Sequence, residues 1–148
     1  MKRLLRKFKN IFILSRRQWK LILLVFWLSI YRNILLFFKS RKAFSEDICK
    51  NQQQNLQLTT EKIQLAKDIT LAIAIANKRI PWKNVCRHQS WQAVYILLKY
   101  QIPFEYIIGI ERKHHKKEGH SWVKVNGKFI CGGCNENDYA IIYNKKIQ

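Results

Sequence analysis

The stretch "VCRHQSWQAVYILLKYQIPFEYIIGI" (residues 85–110) predicts a helix followed by a strand. From Cys86, positions 90, 93 and 97 follow at spacings of four, three and four, which sets them on one face of a helix that begins near the cysteine. Pro103 requires that helix to end before it. The residues after the proline alternate with the period of a strand that has one better-buried face, formed by Phe104, Tyr106, Ile108 and Ile110.

A hairpin is predicted downstream of this strand. The segments "HSWVKV" (120–125) and "KFIC" (128–131) flank Asn126-Gly127, and both of these turn residues tolerate the positive φ angles of a type I′ turn. A last strand fits "YAIIY" (139–143). Each of these segments is short, and the charged loop "RKHHKKEG" (112–119) separates them from the first strand.

Upstream of residue 85, the segment "EKIQLAKDITLAIAIANKR" (61–79) keeps a helical period, with Thr60 as its start and Pro81 as its stop. The order is therefore helix, helix carrying a cysteine, strand, strand carrying a histidine, strand. That order predicts an α+β core with an antiparallel sheet.

The charge of the chain is concentrated at its N-terminus. The 148 residues carry a net charge of +19, and residues 1–42 hold twelve of the 28 Lys and Arg residues and no acid. We expect three parts: a basic helical arm (1–48), the polar linker "CKNQQQNLQLTT" (49–60) and the core (61–148).

The apolar runs of the arm, residues 21–31 and 34–38, are separated by Arg32 and Asn33 and are marginal for the roughly 20 residues of a membrane span. A long helix that packs on its own domain, or that lies at a membrane interface, ranks above a spanning helix. The basic charge suits an anionic membrane surface, an acidic peptide or nucleic acid.

Several classes of function are excluded. Four cysteines are too few for a disulfide-stapled secreted domain, and there is no secretory cleavage site, so we expect a cytoplasmic protein whose arm can contact a membrane surface. No glycine loop of the phosphate-binding type is present, and no cofactor is expected. Nucleic acid is not expected as a partner, because the aromatic residues of the arm stand in apolar runs and are not interleaved with arginine.

Cys86 and His120 are the candidate catalytic residues. The unpaired N–H groups and the dipole at a helix N-terminus favour a thiolate, and a histidine can accept the thiol proton and later give it to a leaving amine. A buried cysteine is more often a small apolar residue, so the pairing with His120 carries the hypothesis. The 34 residues between them allow contact, because the pairing is spatial.

The remaining histidines and cysteines have simpler interpretations. We expect His88 to be solvated or at the rim of a substrate site, His114 and His115 to be solvated, and Trp122 to be a packing residue that shields the imidazole. Cys131 and Cys134 are interpreted as two unrelated thiols around a Gly-Gly turn, because a redox pair of this spacing normally opens a helix. Zinc bound by these thiols with His114, His115 or His120 is the minor alternative, and no metal is expected.

The segments "RIPWKNVCRHQSWQAVYILLKYQIPFEYIIGIE" (79–111) and "GHSWVKVNGKFICGG" (119–133) resemble the leader peptidase of lasso-peptide biosynthesis, the B-type maturation protein, in its short form without a fused leader-recognition domain. The matching features are Pro81-Trp82, Cys86 with Ser90, the "YQIP" turn, "IIGI" and Gly-His-Ser-Trp-Val. They cover roughly residues 70–133.

This resemblance implies a papain-like or transglutaminase-like fold with Cys86 as nucleophile and His120 as base. It also implies an Asp about twelve residues after the histidine, where this chain has Gly132. Asp138 is therefore predicted as the third catalytic residue because of its charge, with Asn135 second and no side-chain partner third; a backbone carbonyl can also hold the imidazole.

The function that the resemblance implies is a cysteine protease that removes the leader from a ribosomally made antimicrobial lasso-peptide precursor before a separate, asparagine-synthetase-like cyclase closes the ring. Because the chain has no spare domain of roughly 80 residues, we expect a separate small leader-binding protein to present the precursor, by strand addition. The alternatives are a non-catalytic module that binds a peptide or a membrane surface through its arm, and an acyl-transferring transglutaminase-like enzyme.

Overall fold

The computed structural model describes residues 14–38, 56–112 and 118–147. Within them the chain is α+β, as predicted, with three helices and a four-stranded antiparallel sheet. The helices are α1 (Arg16–Phe38), α2 (Thr60–Asn77) and α3 (Cys86–Lys99). The strands are β1 (Phe104–Glu111), β2 (Gly119–Val125), β3 (Lys128–Cys131) and β4 (Tyr139–Ile147), and a 3-10 turn, Glu136–Asp138, precedes β4.

The helix boundaries follow local chemistry. The cap of α2 is Thr59, one residue before the expected Thr60, and its hydroxyl accepts the Lys62 N–H at 3.3 Å. Helix α3 begins at Cys86, as predicted, after Val85 in an extended conformation that provides no side-chain cap. The first turn of α3 therefore presents backbone N–H groups that no capping side chain covers.

Helix α1 packs on the domain. Its inward side chains Leu21, Ile22, Val25 and Leu28 belong to the same buried cluster as side chains of α2, α3 and the sheet. At the start of α1, Arg17 forms an ion pair with the buried Asp68 of α2, and Gln18 donates to the same carboxylate at 2.8 Å. No helix among the described residues is long and apolar enough to cross a membrane.

The proposed division into arm, linker and core stays a prediction. Residues 1–13 and 39–55 lie outside the described residues, so most of the linker at 49–60 is not seen, and Cys49 with it. The described part of the arm nevertheless shares its hydrophobic core with the rest of the chain.

The sheet has the strand order β3-β2-β1-β4, with every pairing antiparallel. The predicted hairpin is confirmed, with φ of +49° at Asn126 and +72° at Gly127. Helices α2 and α3 cover one face of the sheet, mainly over β2 and β3. Strand β4 forms one edge, and its middle residues, 141–144, are exposed.

The burial of β1 differs from the expected alternation. Ile107 and Gly109, which lie on the supposedly less-buried face, are buried, while Ile108 and Ile110 are only half-buried. The register sets Ile107 opposite Trp122, which is itself fully buried. The face of the sheet that carries Ile107 and Trp122 is thus covered at these residues.

Candidate active site

Cys86 is the first residue of α3 and has a half-buried thiol. One turn further along the same face, the Ser90 hydroxyl lies 3.7 Å from the Cys131 thiol and accepts a hydrogen bond from Ser121 at 3.1 Å. Ser121 follows His120 on β2. This buried contact fixes the first turns of α3 against the end of β2 that carries the histidine.

The imidazole of His120 is held by the main chain. Its Nε2 lies 2.9 Å from the carbonyl oxygen of Gly132. A carbonyl can only accept, so Nε2 carries a proton, and in the neutral ring Nδ1 then presents a lone pair. This is the tautomer that a general base needs when it receives a proton at Nδ1.

Two aromatic rings enclose the imidazole. The His120 ring stacks on Tyr139 with centroids 5.4 Å apart and on Trp122 at 5.8 Å. Gly109, directly opposite His120 in the register, makes room for both rings, because a Cβ there would lie 2.9 Å from Tyr139 Cβ and 3.0 Å from Trp122 Cη2. Trp122 is a packing residue, as predicted, and Tyr139 is a neighbour that the sequence did not reveal.

Cys86 and His120 share Tyr139 as a neighbour. Burial raises the pKa of the Tyr139 hydroxyl, and negative charge on nearby acids and thiols, among them Cys86, raises it further. Tyr139 therefore lies within electrostatic range of the thiol while its ring stacks on the imidazole. The pairing of Cys86 with His120 itself stays a prediction.

Glu136 braces the segment that supplies the Gly132 carbonyl. Its carboxylate accepts the Trp122 indole N–H at 2.7 Å and the Lys124 ammonium at 2.7 Å. The hydrogen bond from Lys124, with help from Trp122, lowers the pKa of this carboxyl group. The role of Glu136 was not predicted from the sequence. The available signal was an acidic residue five positions after Cys131, close in the chain to the strand that carries Lys124.

The assignment of Asp138 as the third catalytic residue stays a prediction. Asp138 ends the 3-10 turn, where its N–H donates to the Asn135 carbonyl at 3.1 Å and its own carbonyl accepts the Arg112 N–H at 2.9 Å. The acceptor that the structure gives for His120 Nε2 is the Gly132 carbonyl. Gly132 is the position at which the resemblance implies an Asp, and a backbone carbonyl is among the alternatives that the sequence leaves open.

Two hydrogen bonds join α1 to the segment around Cys86. The Trp82 indole N–H donates to Ser29 at 2.8 Å, and the Arg32 guanidinium is hydrogen-bonded to Nε2 of His88. Ser29 and Arg32 are both buried. His88 is half-buried against Arg32 and so is not fully solvated, while its alternative place at the rim of a substrate site stays a prediction. Burial together with the positive charges of Arg32 and Arg87 lowers its pKa to about 4.

This shift of His88 predicts a loss of stability in mild acid. With a folded-state pKa of about 4 against an ordinary value of 6.5, the unfolded chain binds the proton first as the pH falls. The contribution of His88 to the free energy of unfolding is therefore complete above pH 6.5 and declines as the pH falls from there toward 4. We expect the thermal midpoint to fall over this range and to fall less in His88→Gln, whose amide oxygen can still accept from Arg32 but does not titrate. Equal slopes in both proteins would contradict the assignment.

The cysteine pair 131 and 134 ends a hairpin strand and does not open a helix, as predicted. Burial raises the pKa of the Cys131 thiol to about 12, and burial with the charge of Glu136 raises that of Cys134. Both are free thiols. Within the part of the chain that the structure describes, no three His, Cys, Asp or Glu residues are grouped to hold a metal, and His114 and His115 lie outside that part.

Comparison with known proteins gives one match. The family model of the transglutaminase-like superfamily matches residues 28–144, which run from the second half of α1 into β4 and include both candidate catalytic residues. No curated protein and no solved structure matches the chain.

Proposed function

Because this chain belongs to the transglutaminase-like superfamily, whose members are generally cysteine-dependent enzymes, we propose that it is a cysteine peptidase that removes the leader from a lasso-peptide precursor. The superfamily fits a protease-like or an acyltransferase-like activity. The finer assignment rests on the resemblance of residues 79–111 and 119–133 to the B-type leader peptidases.

The observation that carries the proposal is the hydrogen bond from His120 Nε2 to the Gly132 carbonyl, at 2.9 Å. It supports a neutral imidazole with the proton on Nε2 and the lone pair on Nδ1, and this hydrogen bond needs no Asp at position 132. A backbone carbonyl cannot be lost by a side-chain rotation, and Glu136 braces the segment on which it lies. The absence of Asp at position 132 is therefore compatible with catalysis.

The chemistry proceeds in two stages. The Cys86 sulfur attacks the scissile carbonyl as its proton passes to His120 Nδ1, and the backbone N–H groups at the start of α3 are suited to stabilise the oxyanion. His120 then returns the proton to the leaving amine, which leaves the leader as a thioester on Cys86. Water, deprotonated by His120, hydrolyses that thioester and releases the leader acid.

The proposed partners follow from the substrate. The amine freed on the core peptide is the group that a lasso cyclase condenses with a side-chain carboxylate, so the cyclase acts on this product. A separate leader-binding protein would hold the leader as an added strand and raise the local concentration of the scissile bond.

The test is cleavage of a lasso precursor by the purified full chain, with and without the leader-binding protein. We expect two fragments whose masses sum to that of the precursor plus one water, and a much faster reaction when the leader-binding protein is present. Equal rates with and without the leader-binding protein would show that it is not needed for recruitment of the precursor. An intact precursor under both conditions would overturn the proposal.

Acyl transfer is the second candidate, since the same thioester can be attacked by an amine. Adding a primary amine to the cleavage reaction distinguishes the two. A leader fragment that carries the amine, in place of the free acid, would assign the chain to the acyltransferases of the superfamily.

A further inference from the structure

Helix α1 carries an apolar face that is exposed among the described residues, 14–38, 56–112 and 118–147. Large apolar side chains recur along its outward side at helical spacing, and each is at least two-fifths exposed: Trp19, Leu23, Trp27, Ile30, Tyr31 and Ile34. We call these six residues the outer stripe. Leu23 is 63% exposed and Trp27 is 61% exposed, so the centre of the stripe is solvent-exposed as well as its ends.

The opposite side of the same helix is in the core. Leu21, Ile22, Val25 and Leu28 are almost completely buried there, so α1 is apolar around most of its circumference. A helix of this kind normally has both sides covered. Continuous exposed apolar surface of this extent marks an interaction site on a protein.

The charge near the outer stripe indicates what covers it. At the start of α1, the exposed Arg16 and Lys20 lie on the same side as Trp19 and Leu23, at spacings of three. No acidic residue occurs in α1, nor anywhere in residues 1–42, which hold twelve cations. An apolar surface surrounded by positive charge is complementary to a layer that has an apolar interior and negatively charged groups at its surface.

The aromatic composition agrees with this chemistry. Two of the six residues are tryptophans and one is a tyrosine, the side chains that concentrate where acyl chains meet headgroups. From Trp19 to Ile34 the stripe extends about 22 Å along the helix axis. That is sufficient for a helix that lies in the plane of the interface with one side among the acyl chains.

We propose that the outer stripe of α1 binds the surface of an anionic lipid bilayer, with α1 parallel to the membrane plane. Trp19, Leu23 and Trp27 insert between the headgroups, and Arg16 and Lys20 contact lipid phosphates. The domain then lies on the water side, because α2 packs on the inner face of α1. This binding does not depend on the proposed peptidase activity.

The test measures co-sedimentation of the full chain with vesicles of phosphatidylcholine alone and of phosphatidylcholine mixed with phosphatidylglycerol. Leu23→Glu is the variant, and Ile142→Glu is its matched control, since Ile142 is 61% exposed, lies on β4 and gives the same change in charge. We expect binding to the anionic vesicles, reduced roughly tenfold or more by Leu23→Glu and changed less than about twofold by Ile142→Glu.

Two results would overturn the proposal. One is an equal loss in both variants, which would show that charge alone governs binding. The other is a wild-type chain that binds neither kind of vesicle; if that chain is also a dimer in light scattering and becomes monomeric in Leu23→Glu, the stripe is a protein interface. Circular dichroism verifies that both variants are folded.

Discussion

Replacing Cys86 with alanine is expected to abolish leader cleavage, because no other described thiol can substitute for it. Cys131 is buried, with a pKa raised to about 12, and Cys134 lies beyond the hairpin with its pKa also raised. A thiol held in its protonated form is a poor nucleophile. Loss of the nucleophile of a catalytic group typically costs on the order of 10⁶ in rate.

His120→Ala should also reduce the cleavage rate, by roughly 10⁴ or more, because it removes the base while the thiol remains. His88→Ala is a suitable histidine control, since His88 contacts Arg32 of α1 and has no role in the proposed chemistry. Precursor cleaved at a near-native rate by Cys86→Ala would contradict the mechanism directly. If only His120→Ala cleaved at a near-native rate, Cys86 would keep its role as nucleophile and His120 would not be the base.

The second large effect is expected at Gly132, whose carbonyl holds His120. Its φ is +67°, and a Cβ there would lie 2.2 Å from the Ser121 carbonyl oxygen and 3.0 Å from Trp122 Cα. A side chain of any size therefore forces the segment away from β2. A positive φ alone costs a non-glycine residue about 1–2 kcal/mol, and the clash adds to it.

We expect Gly132→Ala to lower the free energy of unfolding by about 2 kcal/mol or more, and to lower kcat by roughly 100-fold in the protein that remains folded, because the imidazole loses its acceptor. Gly133→Ala is the matched control. A Cβ at Gly133 has the Phe129 ring as its nearest neighbour, at 3.8 Å, which is an ordinary contact. Urea unfolding and single-turnover cleavage of both variants make the comparison, and similar values for the two would contradict the role of the Gly132 carbonyl.

The parts of the fold that local chemistry determines could be predicted from the sequence. The hairpin at Asn126-Gly127 needs two residues that accept positive φ, and the start of α3 at Cys86 and its end before Pro103 follow from spacing and from the proline. The N-terminus of α3 and the strand that carries His120 were therefore correctly assigned from the sequence.

The contacts that close the site could not be predicted, because they join segments distant in the chain. The burial of Ile107 and Gly109 on the other face of β1 could not be predicted, since the register that sets Ile107 opposite the buried Trp122 is a long-range feature. The contact of His88 with Arg32 could not be predicted either, because Arg32 is 56 residues away in the chain. A sequence pattern indicates which face of an element is apolar, but it does not indicate which other segment packs against that face.

The choice of acceptor for His120 shows the same limit. Charge favours Asp138 in a ranking of side chains, and that assignment stays a prediction. The contact of His120 Nε2 with the Gly132 carbonyl involves a main-chain oxygen, which residue types do not reveal. The one available signal was Gly132, where a positive φ and a close approach to Ser121 exclude a side chain. A glycine in place of a family acid is thus compatible with a backbone acceptor at that position.

We propose that His120 activates Cys86, and alkylation of the purified chain by iodoacetamide at neutral pH tests this without precursor or partner. Peptide mapping of the modified protein gives the rate at each cysteine. We expect Cys86 to react first, well before Cys131 and Cys134, and His120→Ala to slow Cys86 while the other two keep their rates. Labelling of Cys86 no faster than Cys134, or a Cys86 rate unchanged in His120→Ala, would contradict it.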